Sequence, residues 1–236
     1  MGTVPLHVSF VLPVLNEAEG IVVALNELQG WRDQGHEVIV VDGGSSDATR
    51  DLAEPLCDQL VSAPRGRANQ MNTGAALAGG EVLVFLHADS RLPLDALPQL
   101  QQFVDSPAAW GRFDVRLSGE SLIFRVIGWF MNQRSRITGI ATGDQAMFAR
   151  RVIFQEVGGF EALPLMEDIA LSRRLLALSR PYCIHSRVTT DSRRWERQGV
   201  LKTILLMWQL RWRYWRGEDP LKLAQVYYPD ARTKSE

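Results

Sequence analysis

Acidic side chains follow three apolar segments of strand length in the first 90 residues. The segments, each with its acid, are Val8–Leu12 with Glu17, Val38–Val41 with Asp42, and Val82–Leu86 with Asp89. Ligands of a parallel sheet collect at the carboxyl ends of its strands, so these carboxylates are expected at one edge. Carboxylates accept hydrogen bonds from hydroxyls and bind hard divalent cations. The pattern therefore predicts a site for a nucleotide with a divalent ion.

Two of these acids have specific expected roles. Asp42 precedes the flexible pair Gly43 and Gly44, and its carboxylate could accept from a base N–H or a ribose hydroxyl. The alternative for Asp42 is an Asx turn. Asp89 precedes a polar turn and could share a hard cation with a diphosphate. The alternative for Asp89 is a turn or capping residue.

The apolar segments alternate with stretches of near-helical spacing, which are Ala18–Leu28, Ser46–Leu56 and Ala68–Ala78. Strands that are apolar at nearly every position are buried on both faces of a parallel sheet. The sequence therefore predicts an α/β fold with a central, mostly parallel sheet flanked by helices.

The pattern weakens after residue 90, where the sheet is expected to become mixed. Predicted elements are the helices Asp95–Val104, Leu122–Met131 and Asp168–Leu178, the strand Phe113–Leu117, and a strand after Asp144. No linker separates independent domains. We expect one domain over 1–236, with a nucleotide-binding half (1–90), an acceptor half (91–190) and a basic, Trp-rich C-terminal segment (191–236).

Composition and missing signatures exclude several classes. The 26 Lys and Arg residues nearly balance 27 Asp and Glu residues, for a charge of −1, which argues against nucleic-acid binding. Two distant cysteines indicate neither a disulfide framework nor a zinc site. No dinucleotide, P-loop, serine-hydrolase or zinc-protease motif is present. No charged signal front or membrane-spanning run is found, so a cytoplasmic location is expected.

Ordered motifs across the chain resemble those of the inverting family 2 glycosyltransferases, which have the GT-A fold. The matching segments are Val11–Glu17, Val40–Thr49, Asn72–Gly74 with Gly80–Val82, His87–Asp89 and Glu167–Asp168. The stretch Pro64–Ala68 and the form of the His87–Asp89 motif resemble a small bacterial subgroup. The resemblance implies a GT-A-like, Rossmann-type domain that binds a nucleotide sugar.

The resemblance also implies roles in the nucleotide-binding half. Pro13, Glu17 and Asp42 would contact a uridine-type nucleotide, Arg65 would lie near the base or phosphates, and Asp89 would hold Mg²⁺ or Mn²⁺ on the diphosphate. His87 stands where the family's Asp-x-Asp motif has its first aspartate. His87 could hydrogen-bond ribose while neutral, or be a buried imidazole.

In the acceptor half, the resemblance makes Asp168 the general base, beside Glu167. The alternative for Asp168 is an N-cap or first-turn acid. Gly143 and Asp144 are expected to shape the acceptor side.

Arg194 and Trp195 resemble the end of a Gln-x-x-Arg-Trp motif, with Asp191 in place of Gln. Arg194 could neutralise diphosphate and Trp195 could stack on a sugar or acceptor; the alternative is a solvated, basic helix entrance.

The C-terminal segment is basic and amphipathic. Residues 187–216 carry eight Lys or Arg against two acids, about +6 in a chain of charge −1. The predicted helix Val200–Trp215 has one polar stripe and a wide apolar face. It could pack in the core, or lie among anionic lipid headgroups as a peripheral membrane helix.

Together these observations predict a metal-dependent inverting glycosyltransferase. It would move a sugar from a nucleotide sugar, expected to be a UDP-sugar, to a hydroxyl acceptor at the cytoplasmic face of the membrane. If the C-terminal helix lies on that membrane, the expected acceptor is a lipid or a lipid-linked compound. The alternative is a catalytically silent, nucleotide-binding and membrane-associated interaction protein. The donor, the acceptor and the oligomeric state do not follow from the sequence.

Overall fold

The structure is a computed structural model that describes residues 6–228, except for the side chains of Arg194, Arg197 and Gln198. Its first half alternates strands and helices as the apolar pattern predicts. The elements are β1 (Val8–Val14), α1 (Ile21–Asn26), α2 (Gln29–Arg32), β2 (Glu37–Asp42), α3 (Thr49–Ala53), β3 (Gln59–Ser62), α4 (Arg67–Leu77) and β4 (Val82–Phe85).

The second half adds four strands and seven helices within the described residues. They are β5 (Ser90–Arg91), α5 (Ala96–Val104), β6 (Trp110–Leu117), α6 (Leu122–Thr138), β7 (Phe148–Arg150), α7 (Arg151–Glu156), α8 (Glu167–Leu176), β8 (Tyr182–Thr190), α9 (Arg193–Gln198), α10 (Val200–Trp215) and α11 (Pro220–Tyr227). A 3₁₀ turn covers Gly143–Gln145.

One eight-stranded sheet runs through both halves in the order β3-β2-β1-β4-β7-β6-β8-β5. The strands β1 to β4 pair in parallel with one another. Beyond them β7 is antiparallel to β4 and β6, β6 is parallel to β8, and β5 is antiparallel to β8. The predicted α/β fold is confirmed, including the mixed second half.

Alternate residues of the central strands enter two cores. In β2, Val38 and Val40 pack into one core and Ile39 and Val41 into the other. Helices therefore cover both faces, which explains why the strand is apolar at successive positions.

Several element bounds differ from the predicted ones. The stretch Ala18–Leu28 contains only α1, and the helix expected to begin at Ser46 begins at Thr49. The helix expected to end at Met131 continues to Thr138, where Gly139 adopts the left-handed conformation (φ 72°) that ends helices.

Candidate functional site

The loops after β1 and β2 are tied together. The Glu17 N–H donates to Thr49 Oγ1 (2.8 Å), and the Ala18 N–H donates to Asp47 Oδ2 (3.1 Å). Glu17 is half-buried; burial and then the charge of Asp89 raise its pKa, against the charges of Arg193 and Arg67. Glu17 and Asp89 therefore face one space.

Asp42 is buried at the end of β2, as its position in the sequence predicts. Its carboxylate accepts from the N–H groups of Gly44 and Ser45 at 3.1 Å and faces Arg50 Nη1 at 3.4 Å. Burial opposes ionisation, but the hydrogen bonds, led by those of Ser45, hold the pKa of Asp42 below its ordinary value. The Asx-type loop is therefore present, and Asp42 is a fixed anion at the sheet edge.

The segment after β4 meets the acceptor half. His87 Nδ1 lies 3.9 Å from Asp144 Oδ1, and a Cβ placed on Gly143 would come within 2.6 Å of the His87 ring. Burial, and then the charge of Arg67, lower the pKa of His87, which favours the neutral imidazole. The Asp89 carboxylate is exposed and accepts from Ser90 Oγ at 3.2 Å.

Asp168 lies in the first turn of α8. Its Oδ2 accepts from the Gly143 N–H at 3.0 Å, and its Oδ1 accepts from the Ile169 N–H at 2.7 Å. Burial raises the pKa of Asp168, while the bond from Gly143 and the charges of Arg67 and Arg134 oppose the increase. The helix cap itself is Met166, in the left-handed conformation. Asp168 is therefore a first-turn acid whose orientation is fixed by the Gly143 turn.

Glu167 lies beside Asp168 and is only 8% exposed. Burial and the adjacent Asp168 raise its pKa to about 7, against the charge of Arg67. Two neighbouring carboxyls in a confined space favour holding a proton between them.

Two arginines at this site did not follow from the sequence reasoning. Arg67 opens α4, and its charge acts on Glu17, Glu167 and Asp168. It belongs to the stretch Pro64–Ala68, which resembles the family subgroup. The predicted Arg65 lies two residues earlier on the loop before α4; both arginine side chains are exposed. Arg134 on α6 acts on Asp168 and carried no sequence signal.

Pro13, Trp195 and Arg194 complete the set of predicted site residues. Pro13 is partly buried within β1. Trp195 packs against the apolar cluster of Leu117, Phe124 and Ile127. The Arg194 side chain lies outside the described residues.

The described part of the chain contains neither a membrane-spanning helix nor a cluster of side chains arranged to bind a metal ion. No helix there is long and apolar enough to cross a bilayer. No group of three or more His, Cys, Asp or Glu side chains within residues 6–228 is arranged to hold a metal ion. A single carboxylate such as Asp89 still fits Mg²⁺ or Mn²⁺ chemically, because such ions are commonly held by one or two carboxylates together with substrate phosphates.

The fold matches solved structures of the GT-A class. A mannosyltransferase from Pyrobaculum calidifontis, solved with GDP-Man and Mn²⁺, has a TM-score of 0.61 and 22% identity over 79% of this chain and 57% of its own. S. aureus TarS 1–349, solved with UDP-GlcNAc, has a TM-score of 0.63 and 17% identity over 78% of this chain and 58% of its own.

Sequence comparison then gives the family. The profile of Glycosyl transferase family 2 matches residues 9–158, so the chain belongs to this family. The probable glycosyltransferase YdaM of Bacillus subtilis is 26% identical over 90% of this chain and 55% of its own length. A PGL/p-HBAD biosynthesis glycosyltransferase of Mycobacterium tuberculosis is 30% identical over 64% of this chain and 62% of its own. The chain thus spans less than two thirds of these relatives.

Proposed function

We propose that this chain transfers a sugar from a nucleotide-sugar donor, a UDP-sugar, to a hydroxyl acceptor with inversion at the anomeric carbon. The observation that carries the proposal is that Glu17, Asp144 and Asp168 lie close enough to Arg67 for its charge to act on them, and that Asp89 acts in turn on Glu17 and Asp144. His87 also lies 3.9 Å from Asp144, and the Gly143 N–H donates to Asp168. These residues are far apart in the sequence, and their proximity supports a shared task.

The donor would occupy the side of the cleft formed by the first half. Pro13, Glu17 and Asp42 would contact the nucleotide, Arg65 would lie near the base or phosphates, and His87 would hydrogen-bond the ribose. Asp89 would hold Mg²⁺ or Mn²⁺ on the diphosphate, where the ion supplies neutralisation of charge on the leaving group. Arg67 stands among acids and supplies the positive charge that a diphosphate needs there.

Asp168 would act as the base. Its Oδ2, held by the Gly143 N–H, would take the proton from the acceptor hydroxyl while the hydroxyl oxygen bonds to the anomeric carbon. The bond from that carbon to the diphosphate oxygen breaks on the opposite face, and its electron pair leaves with the nucleoside diphosphate. A pKa raised by burial makes Asp168 a stronger base, which suits proton transfer near neutral pH.

A membrane surface would present the acceptor. Five exposed apolar side chains form a stripe along α10: Leu201, Leu205, Trp208, Trp212 and Trp215. The Arg216 guanidinium lies 5.0 Å from the centre of the Trp212 ring, and Lys202 is exposed next to the stripe. Tryptophans flanked by basic residues are typical of helices at an anionic membrane interface.

Helix α6 supports the same proposal. Its exposed face carries Leu122, Val126, Trp129 and Phe130, and its buried face shares an apolar cluster with Val200 and Ile204 at the start of α10. Two neighbouring helices thus expose apolar surface. We propose that they lie on the cytoplasmic face of a membrane and that the acceptor is a lipid or is linked to one.

The substitution Asp168→Asn tests the base directly. It removes the proton acceptor and keeps the size of the side chain, so we expect nucleotide-sugar binding within about twofold of the wild type. Turnover should fall by about 10²-fold or more, the usual range for a positioned general base. Asp33→Asn, at an exposed carboxylate after α2, is the matched control.

Two assays are run on a panel of UDP- and GDP-sugars with Mn²⁺. Calorimetry measures the binding of each nucleotide sugar, and the release of nucleoside diphosphate measures turnover. Unchanged turnover of Asp168→Asn would exclude Asp168 as the base. Binding without turnover by the wild type across the panel would favour a nucleotide-binding interaction protein instead.

A further inference from the structure

Arg134 lies on α6 in the acceptor half, and one edge of its guanidinium is buried without a partner. Its Nε and Nη2 atoms are inaccessible to solvent, and neither has a hydrogen-bond partner among the described residues. These two nitrogens form the side edge of the guanidinium, which can donate two parallel N–H bonds. That edge matches the two oxygens of a carboxylate or phosphate.

Arg134 differs from the two other arginines that have buried, unpaired nitrogens in the described part of the chain. Arg112 and Arg174 also have a buried Nε without a partner. However, their other nitrogens donate to Asp114 and to the carbonyl oxygens of Val157 and Gly159. Buried donors without an acceptor are destabilising, so they are rare in native proteins. Where they occur, they are expected at functional sites, because a ligand can accept their hydrogen bonds there.

The location of Arg134 is next to the base. Burial lowers the pKa of Arg134, while the carboxylates of Asp168 and Asp144 oppose that decrease. Both acids therefore lie close enough for their charges to act on the guanidinium. Arg134 thus stands at the acceptor side of the cleft.

Helix α6 is held rigidly at this point. Asn132, two residues earlier, accepts from the Val115 N–H at 2.8 Å and donates to the Val115 carbonyl at 3.0 Å. Asn132 also faces Gln145 Nε2 at 3.5 Å, in the same turn as Gly143, which orients Asp168. Helix α6, which carries Arg134, and the turn that orients Asp168 are therefore parts of one connected framework.

We propose that the Nε–Nη2 edge of Arg134 binds an oxyanion of the acceptor, so that the acceptor is a hydroxyl compound with a phosphate or carboxylate beside the attacked hydroxyl. The inference rests on the proposed function, because it assigns Asp168 to that hydroxyl. Binding of the anion would place the hydroxyl within reach of Asp168. The same oxyanion could come from a soluble compound or from a lipid headgroup.

The test is calorimetric titration of the full chain saturated with UDP and Mg²⁺, so that the donor site is already filled. The soluble probes are glycerol 3-phosphate and glycerate, with glycerol as the uncharged control. Vesicles of phosphatidylglycerol present a similar group on a lipid. The variants are Arg134→Gln, Arg134→Lys, which keeps the charge without the two parallel donors, and Arg125→Gln, an exposed arginine on the same helix. Arg125→Gln is the control for the soluble probes only, because its face of α6 is proposed to lie on the membrane.

We expect the wild type and Arg125→Gln to bind an anionic probe and not glycerol. Arg134→Gln should bind it about tenfold more weakly or worse, and Arg134→Lys should be intermediate. A second readout is thermal unfolding. Arg134→Gln should keep or raise the melting temperature, because it removes buried, unpaired donors, whereas a merely structural arginine would lower it when replaced.

Three results would overturn the inference alone. They are no binding of any anionic probe to the UDP-bound wild type, equal binding of every anionic probe by the wild type and Arg134→Gln, and equal losses of soluble-probe binding in Arg134→Gln and Arg125→Gln. A loss in Arg134→Gln that is confined to the soluble probes or to the vesicles tells which source the oxyanion has, because α10 is proposed to bind vesicles in every variant. Failure of UDP itself to bind in the presence of Mg²⁺ would overturn the proposed function as well, and so differs from the other outcomes.

Discussion

Replacing Glu167 by Gln should stabilise the protein at alkaline pH and much less at acidic pH. The Glu167 carboxyl is almost fully buried beside Asp168. Burial and this neighbour raise its pKa from the ordinary value of 4.5 to about 7. Ionising Glu167 in the folded state is therefore costly, whereas Gln cannot ionise.

The sign follows from the two pKa values. Below pH 4.5 the carboxyl is protonated in both the folded and the unfolded chain. Between 4.5 and about 7 the unfolded chain loses its proton first, so stability falls as the pH rises, and the loss is complete above 7. A shift of this size, at 1.36 kcal/mol per pKa unit, corresponds to about 3 kcal/mol.

The assay is urea unfolding of the wild type and Glu167→Gln at pH 5 and pH 8. The difference in the free energy of unfolding should grow by about 2 to 3 kcal/mol in favour of the variant at the higher pH, because part of the effect is already present at pH 5. Glu161→Gln, at an exposed carboxylate in the preceding loop, is the control and should show no such growth. An equal difference at both pH values for Glu167→Gln would refute the reasoning.

Two further predictions concern the base and the membrane surface. Gly143→Ala should reduce turnover about 10-fold to 100-fold, because the added Cβ would come within 2.6 Å of the His87 ring and displace the N–H that orients Asp168. If the steady-state kinetics of this variant equal those of the wild type, the Gly143 N–H is not needed to orient Asp168. Trp208→Ser should weaken flotation with anionic liposomes, and Leu94→Ser, at a 99% exposed leucine in another part of the fold, should not. Equal flotation of both variants and the wild type would argue against α10 as the contact.

Sequence patterns predicted the elements that are buried on both sides or amphipathic along their whole length. The strands β1, β2 and β4 and the helix α10 lie where the apolar spacing indicates, because burial dictates the residue type at successive positions. Strand β8 was missed: it alternates buried and exposed residues irregularly and includes His185, Ser186 and Arg187.

The missed site residues have a different explanation. Arg67 and Arg134 gain their roles from acids distant in the chain. Arg67 lies in the stretch Pro64–Ala68, which resembles a family motif, but that motif does not show which acids the side chain meets, and Arg134 lies in no motif at all. Trp195 packs against the apolar cluster that includes residues of α6, a helix contact that local spacing does not show. Its stacking on a sugar or acceptor stays a prediction.

We propose that this chain binds a nucleoside diphosphate through a divalent cation held by Asp89. The most direct measurement is calorimetric UDP binding to the wild type, Asp89→Ala and the control Asp33→Ala, each with Mn²⁺ and with the ion chelated. We predict that Mn²⁺ strengthens UDP binding to the wild type and to Asp33→Ala. Asp89→Ala should lose about tenfold or more of the affinity with Mn²⁺ and little without it. Equal losses in both conditions, or no UDP binding by the wild type, would contradict the claim.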